Sequence, residues 1–148
     1  MQVDFYQLNA DPAEQVVALL ARNTLAAGQR LLVVADDPAL LARTSEALWS
    51  AKPHKGREQF LANGIAGGEH DARQPILLSA AVNPANGAKF LALADGIWRE
   101  GEGIERAFLV FGAETLEAAR ATWRMLGERE GITRNYWKQE DGGWVKAA

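Results

Sequence analysis

Two arginines and a tryptophan near the end of the chain are the side chains whose types and spacing best suit binding chemistry. They are Arg120, Trp123 and Arg124, within the run Leu-Glu-Ala-Ala-Arg-Ala-Thr-Trp-Arg of residues 116–124. If this run is a helix, the three side chains are neighbours on its surface, because residues three and four apart lie side by side. A guanidinium group can bind a carboxylate through two parallel hydrogen bonds, and a flat indole packs against an apolar side chain. The set therefore suits an acidic peptide tail better than a reaction.

The tryptophan also allows a second interpretation, and the spacing of residues along the helix does not decide between the two. One face of the same predicted helix is apolar at helical spacing and consists of Leu116, Ala119, Trp123 and Leu126. On this interpretation the indole belongs to the core, and both arginines are solvated. On the first interpretation Leu109, in the preceding predicted strand, lies under the same patch and extends its apolar floor.

The remaining sequence shows no recognised catalytic, cofactor-binding or metal-binding set. It has no cysteine, which excludes thiolate zinc sites and cysteine nucleophiles. The two histidines, His54 and His70, match no metal-ligand spacing. The turn at residues 9–12 contains no glycine, so it holds neither a dinucleotide fingerprint nor a P-loop. We therefore predict a non-catalytic binding protein with no cofactor and no metal.

Length and composition indicate one ordinary globular domain, residues 1–148. The chain has 148 residues, of which 48% are hydrophobic and 24% are charged. The net charge of −3 provides no overall basic field for nucleic acid, so any contact with DNA is expected to be indirect. No signal peptide or membrane span is visible, and the lack of cysteine fits a reducing compartment, so we expect a cytoplasmic protein without membrane contact.

Apolar runs and helix signals alternate along the chain. Predicted strands occupy residues 3–8, 31–35, 60–61, 75–79, 106–111, 133–138 and 144–146. Predicted helices occupy residues 12–28, 38–49, 89–95 and 116–131. Asp11 and Asp37, each followed by proline, are predicted to cap the first two helices. The glycine-rich residues 64–68 are interpreted as a flexible loop, and residues 141–143 as the turn of a closing hairpin.

This order of elements predicts the fold class. Strands alternating with helices favour an α/β three-layer sandwich with a mostly parallel sheet, Rossmann-like but without a nucleotide-binding loop. Such a sheet keeps one alternative function open, a small nucleotide- or phosphate-binding enzyme. Its ligand would lie at the carboxyl ends of the strands, near Asn9, Asp36 and Ser79. For the acidic pair at 36–37, helix capping by Asp37 is the favoured interpretation.

A second apolar group allows two interpretations. Leu48 and Trp49 end the second predicted helix, and Phe60 and Leu61 follow an irregular polar stretch. All four side chains fill the core beneath that stretch on the favoured interpretation. On the other, they form an exposed patch for a protein partner, since aromatic side chains are common anchors of interfaces.

A set of short motifs occurs in a fixed order along most of the chain. It consists of Phe5-Tyr6-Gln7-Leu8, residues 27–34, Asp36-Asp37, Leu48-Trp49, Phe60, Asp71, residues 75–78 and Asn86-Gly87. Taken in this order, the motifs resemble the chi subunit family of bacterial DNA polymerase III holoenzyme, part of the clamp-loader assembly. The pair Leu48-Trp49 is the most specific part of the resemblance.

The resemblance implies a non-catalytic accessory subunit of a DNA-directed DNA polymerase, with two protein partners. One is the acidic, phenylalanine-ended C-terminal tail of the single-stranded-DNA-binding protein. Matching by position assigns this tail to Leu109, Arg120, Trp123 and Arg124. The other partner is the psi subunit or an equivalent clamp-loader component, or a repair helicase that competes for the same surface. Matching by position assigns that surface to Leu48, Trp49 and Phe60.

Overall fold

One sheet runs through the protein and carries helices on both of its faces. The computed structural model describes residues 1–51 and 61–148, and they form an 8-stranded sheet. Its strands are β1 (Gln2–Gln7), β2 (Leu31–Val34), β3 (Asn63–Ile65), β4 (Ile76–Ser79), β5 (Phe90–Leu93), β6 (Arg106–Phe111), β7 (Thr133–Glu140) and β8 (Gly143–Lys146). The helices are α1 (Ala13–Ala26), α2 (Pro38–Trp49) and α3 (Leu116–Gly127).

The strand order is β3-β4-β2-β5-β6-β1-β7-β8. Neighbouring strands are parallel except for the final β7–β8 hairpin, which is antiparallel. The predicted mostly parallel sheet and closing hairpin are therefore confirmed. All described strands belong to this one sheet, which favours the single domain expected for residues 1–148, although that extent stays a prediction.

Two apolar clusters, one on each face of the sheet, explain why the central strands lack polar alternation. In β2, Leu31 and Val33 pack in the cluster that includes α1 and α2, whereas Leu32 and Val34 pack in the cluster that includes α3. A strand covered on both faces buries every side chain, and β2 is buried at each position. This arrangement is the predicted three-layer sandwich.

The path of the chain around β1 positions the predicted binding helix. β1 lies between β6 and β7 in the sheet, and α3 is the helix that connects those two strands. In the β1–β7 register Phe5 is the partner of Tyr136, and Gln7 is the partner of Lys138. α3 therefore covers a strip of sheet to which β1 and β7 contribute side chains.

The two Asp-Pro helix starts differ in the structure. Asp37 caps α2 as predicted, because its Oδ1 accepts a hydrogen bond from the amide of Ala39 at 2.9 Å. The predicted cap by Asp11 is wrong, since Pro12 occupies the N-cap position of α1 and no side chain caps the helix. The Asp11 carboxylate is instead held by Gln139, whose Nε2 donates to Asp11 Oδ2 at 2.7 Å.

Three other predicted elements need correction. Residues 89–95 were expected to be helical, but Phe90–Leu93 form strand β5, because this apolar segment pairs with both β2 and β6. Within the glycine-rich residues 64–68, Gly64 and Ile65 belong to strand β3, which pairs with β4. Helix α3 ends at Gly127, earlier than the predicted end at Gly131, which has a φ of 79° in the turn before β7.

The predicted strand at residues 60–61 is not observed at Leu61, which is a buried residue just before β3. Phe60 lies outside the described residues, as does His54.

Candidate functional site

Helix α3 turns one apolar face to the sheet and carries both arginines beside it. Ala119 and Leu126 are fully buried in the cluster beneath the helix, and Trp123 packs against that cluster while half-buried. Arg120 and Arg124 are exposed. The helix prediction for this segment is confirmed, and each of the two interpretations of the indole describes part of its environment.

A groove of about 330 Å³ opens between α3 and β7, and we call it the α3–β7 groove. Its lining consists of Gln7, Arg120, Trp123, Arg124, Tyr136, Lys138, Ala147 and Ala148. Three of the four residues predicted for the acidic tail therefore meet at one concave surface. The fold brings the sheet residues to the groove because β1 and β7 are neighbours under α3.

The indole of Trp123 contacts two aromatic rings and one cationic group. Its ring meets Phe5 edge to face with centroids 5.1 Å apart, and meets Tyr136 in the same way at 5.7 Å. The guanidinium carbon of Arg134 lies 4.1 Å from the ring centroid. Aromatic pairs and a stacked cation each favour a fixed ring orientation, so the indole forms a rigid floor.

Arg134 also joins the strand to the helix directly. Its Nη1 donates a hydrogen bond to the backbone oxygen of Trp123 at 2.6 Å. The last residue of α3 is a glycine, and a Cβ at Gly127 would lie 2.6 Å from the same Nη1 atom. The glycine therefore leaves the space through which the guanidinium reaches the helix.

The cations around the groove differ in what they already contact. Arg120 Nη1 lies 3.2 Å from Glu117 Oε1, an exposed pair one turn apart on α3. Across residues 1–51 and 61–148, neither Arg124 nor Lys138 forms an ion pair. Arg124 and Lys138 are therefore available to an external anion without first losing a partner.

The phenol of Tyr136 links the two strands at the bottom of the groove. Its hydroxyl donates to Gln7 Oε1 at 2.5 Å. Burial raises the pKa of Tyr136, and the positive charge of Arg120 partly opposes this shift. The hydroxyl is thus a neutral donor at neutral pH, and the groove carries positive charge only from its basic side chains.

Leu109, the fourth residue predicted for the tail, does not line the groove directly. It is 0% exposed in β6, in the same apolar cluster as Trp123, and it is not part of the groove lining. Gln7, Tyr136 and Lys138 also line the groove but were not predicted from the sequence. The order of hydrophobic and polar residues does not reveal that β7 is the neighbour of β1, and this pairing is what brings the three side chains together. A lysine and a tyrosine two apart in a predicted strand were the available signal.

The residues predicted for the second surface differ in how far the structure exposes them. Leu48 is 1% exposed and Leu61 is 2% exposed, so core packing is correct for both. Trp49 is 60% exposed at the end of α2, so core packing is wrong for it. Phe60 lies outside the described residues. Of these three described residues, only Trp49 exposes a large apolar side chain.

The turn after β1, where a nucleotide-binding sheet would hold phosphate, is occupied by a side chain of the protein itself. Gln139 Oε1 accepts hydrogen bonds from the backbone amides of residues 9, 10 and 11, at 3.1, 3.1 and 3.2 Å. Amides at such a turn are the usual donors to a phosphate group. Their use by an amide oxygen argues against the alternative function at this turn.

The acidic residue after β2 is likewise engaged. Asp36 Oδ1 and Asp95 Oδ2 lie 2.9 and 2.8 Å from Arg99 Nη2. Burial by itself would raise the pKa of Asp95, but hydrogen bonds from Arg99 and from the amides of Asp36 and Ile97 bring it below its usual value. This closed ion-pair cluster fastens the loop after β5 to the end of β2.

The described residues show neither a metal-binding cluster nor a membrane-spanning helix. Among them, no group of three or more histidine, aspartate or glutamate side chains is placed to hold a metal ion. No helix in the same residues is long and apolar enough to cross a membrane.

Comparison with known protein families connects the chain to one of them. The family model described as DNA polymerase III chi subunit, HolC, matches residues 1–133 of the chain. A search of curated proteins found no match. The matched residues include Arg120, Trp123 and Arg124, whereas most of β7 and all of β8 follow them.

Proposed function

Because the chain belongs to the DNA polymerase III chi subunit family, we propose that it is a non-catalytic accessory subunit that tethers the polymerase assembly to the single-stranded-DNA-binding protein. The tether is formed by capture of that protein's acidic C-terminal tail in the α3–β7 groove. As part of the replication machinery, the protein would act in the cytoplasm and contact DNA only through its partner.

The single observation that carries this proposal is the groove, where an apolar aromatic floor is bordered by cations. Trp123 offers an immobilised ring for the aromatic end of the tail, and Arg120 or Arg124 offers a guanidinium for its terminal carboxylate. Arginine matches a carboxylate with two parallel donors, which adds orientation to attraction. An acidic chain end with a terminal aromatic residue fits both features at once.

Affinity for one tail should be modest and sensitive to salt. The cations are exposed, and exposed ion pairs contribute about 0–1 kcal/mol each. Screening at physiological ionic strength weakens such pairs further. Many tails displayed along coated single-stranded DNA would raise the effective concentration and offset the weak single contact.

A second partner surface is proposed at Trp49. The side chain is exposed at the end of α2, on the face of the sheet opposite to α3. A large exposed aromatic residue is a typical anchor of a protein interface. We assign it to psi, to an equivalent clamp-loader component or to a competing repair helicase, so that the two partners bind opposite faces.

The proposal is tested by binding to the intact single-stranded-DNA-binding protein and to the same protein without its last few residues. We expect binding to the intact protein, loss of binding after truncation, and strong weakening by Arg124→Glu. Arg73→Glu is the matched control, because Arg73 is exposed but lies before β4, outside the groove lining. Equal binding of intact and truncated protein would overturn the proposal.

A further inference from the structure

The wall of the α3–β7 groove opposite the helix carries one cation, Lys138. This residue is exposed on β7, beyond the residues that the family model matches. Side chains alternate along a strand, so Lys138 and Tyr136 lie on the same face, the one that α3 covers. Both line the groove, whereas Trp137 between them faces the α1 side.

A second cavity adjoins the groove at Lys138, on the side of the carboxyl edge of the sheet. A smaller cavity of about 190 Å³, here called the edge compartment, shares Gln7 and Lys138 with the groove. Its other lining residues are Leu8, Asn9, Gln139 and Glu140. A peptide that extends from the groove towards the edge compartment would pass Lys138, which lines both.

The charges on the two walls point to more than one carboxylate on the ligand. Arg120 already pairs with Glu117, at 3.2 Å. This leaves Arg124 on the helix wall and Lys138 on the strand wall, neither of them in an ion pair within the described residues. The two cations border the same aromatic floor from opposite sides. A single carboxylate beside an aromatic ring would leave one of them unused.

From this arrangement, which rests on the proposed function, we propose that Lys138 is a second anion site of the groove. It binds the side-chain carboxylate of an acidic residue upstream of the aromatic end, while Arg124 binds the terminal carboxylate. Glu140 lies two residues beyond Lys138 on the same face and lines the edge compartment. Its negative charge repels further acidic residues there, so the acidic contact is confined to the few residues next to the aromatic end.

The experiment is a double-mutant cycle measured by fluorescence anisotropy with synthetic peptides. One peptide has the acidic residues, the terminal phenylalanine and a free carboxylate. In the second peptide the upstream acidic side chains are replaced by their amides, and in the third the terminal carboxylate is an amide. The variants are Lys138→Gln and Arg124→Gln. Lys146→Gln is the matched control, because Lys146 is an exposed lysine on the neighbouring strand β8 that does not line the groove.

We expect Lys138→Gln to weaken binding of the acidic peptide by up to about fivefold, the factor that corresponds to about 1 kcal/mol for an exposed ion pair. Its effect should vanish with the second peptide and persist with the third. Arg124→Gln should behave in the opposite way, with its effect lost only for the third peptide. Lys146→Gln should leave all three affinities unchanged.

Two results overturn the inference while leaving the proposed function in place. One is an equal effect of Lys138→Gln on the first and second peptides, and the other is an effect no larger than that of Lys146→Gln. Failure of the proposed function is recognised separately, because the unmodified protein would then bind none of the three peptides.

Discussion

Glu117 provides the most informative perturbation of the α3–β7 groove, because its replacement should strengthen binding. Its carboxylate already forms an ion pair with Arg120 at 3.2 Å, and the side chains of Glu117 and Arg120 are 84% and 55% exposed. A tail carboxylate that uses Arg120 must displace this partner and approach a negative charge. Glu117→Gln removes both obstacles while keeping the size and the helical preference of the side chain.

The size of the effect follows from the geometry of the pair. An exposed ion pair three residues apart on a helix stabilises the helix by about 0.2–0.5 kcal/mol. Tail binding that breaks the Arg120–Glu117 pair loses this energy, and with Glu117→Gln the loss no longer occurs. Relief of repulsion adds a comparable amount at low salt, so we expect tail affinity to rise about two- to fivefold. The same reasoning predicts a smaller loss for Arg120→Gln than for Arg124→Gln, since only Arg120 has an internal partner.

Isothermal titration calorimetry with a tail peptide, at low and at physiological ionic strength, measures this effect. The matched control is Glu114→Gln, an exposed glutamate in the short turn before α3 that lines no part of the groove. The gain from Glu117→Gln should shrink as salt rises, because exposed charges are screened. An unchanged or lower affinity for Glu117→Gln, or an equal gain for Glu114→Gln, would refute the reasoning.

Three further predictions concern stability and the second surface. Arg134→Lys removes the guanidinium 4.1 Å from the Trp123 ring, so chemical denaturation should show a loss of about 0.5–2 kcal/mol in the free energy of unfolding. Leu48→Ala should lower the free energy of unfolding by about 2–5 kcal/mol in the same assay, because Leu48 is buried. Trp49→Ser should change it by about 0.5 kcal/mol or less, because Trp49 is exposed. The same Trp49→Ser variant should reduce recovery of the clamp-loader partner in a pull-down. Burial raises the pKa of Tyr6 from 10.0 to about 12, so the free energy of unfolding should fall as the pH rises through that interval, and Tyr6→Phe should flatten this part of the curve.

Local chemistry made much of the fold predictable. The continuous apolar run of β2 indicated a strand covered on both faces, and the Asp37-Pro38 pair indicated where α2 begins. Helical spacing placed Arg120 and Arg124 beside the indole, and the structure has them there. In each case residues within one or two turns, or within one strand, decide the outcome.

Features that depend on distant pairing were not predictable in the same way. The segment at Phe90–Leu93 is too short for its apolar pattern to separate a helix from a strand, and pairing with β2 and β6 decides in favour of the strand. Asp11 carries a suitable capping side chain, but Gln139 holds it from the far end of the chain. Leu109 and Leu48 show that resemblance of position does not reveal exposure, because both are buried.

The central claim is that the aromatic end of an acidic tail packs on the indole of Trp123. It is tested most directly by nuclear magnetic resonance of the Trp123 side-chain N–H signal, assigned by its loss in Trp123→Phe, during titration with a tail peptide. We predict a progressive shift of this signal and contacts between the indole and the terminal phenyl ring, both absent with a peptide that lacks the terminal phenylalanine. Saturable binding of the complete tail with an unmoved Trp123 signal would contradict the claim.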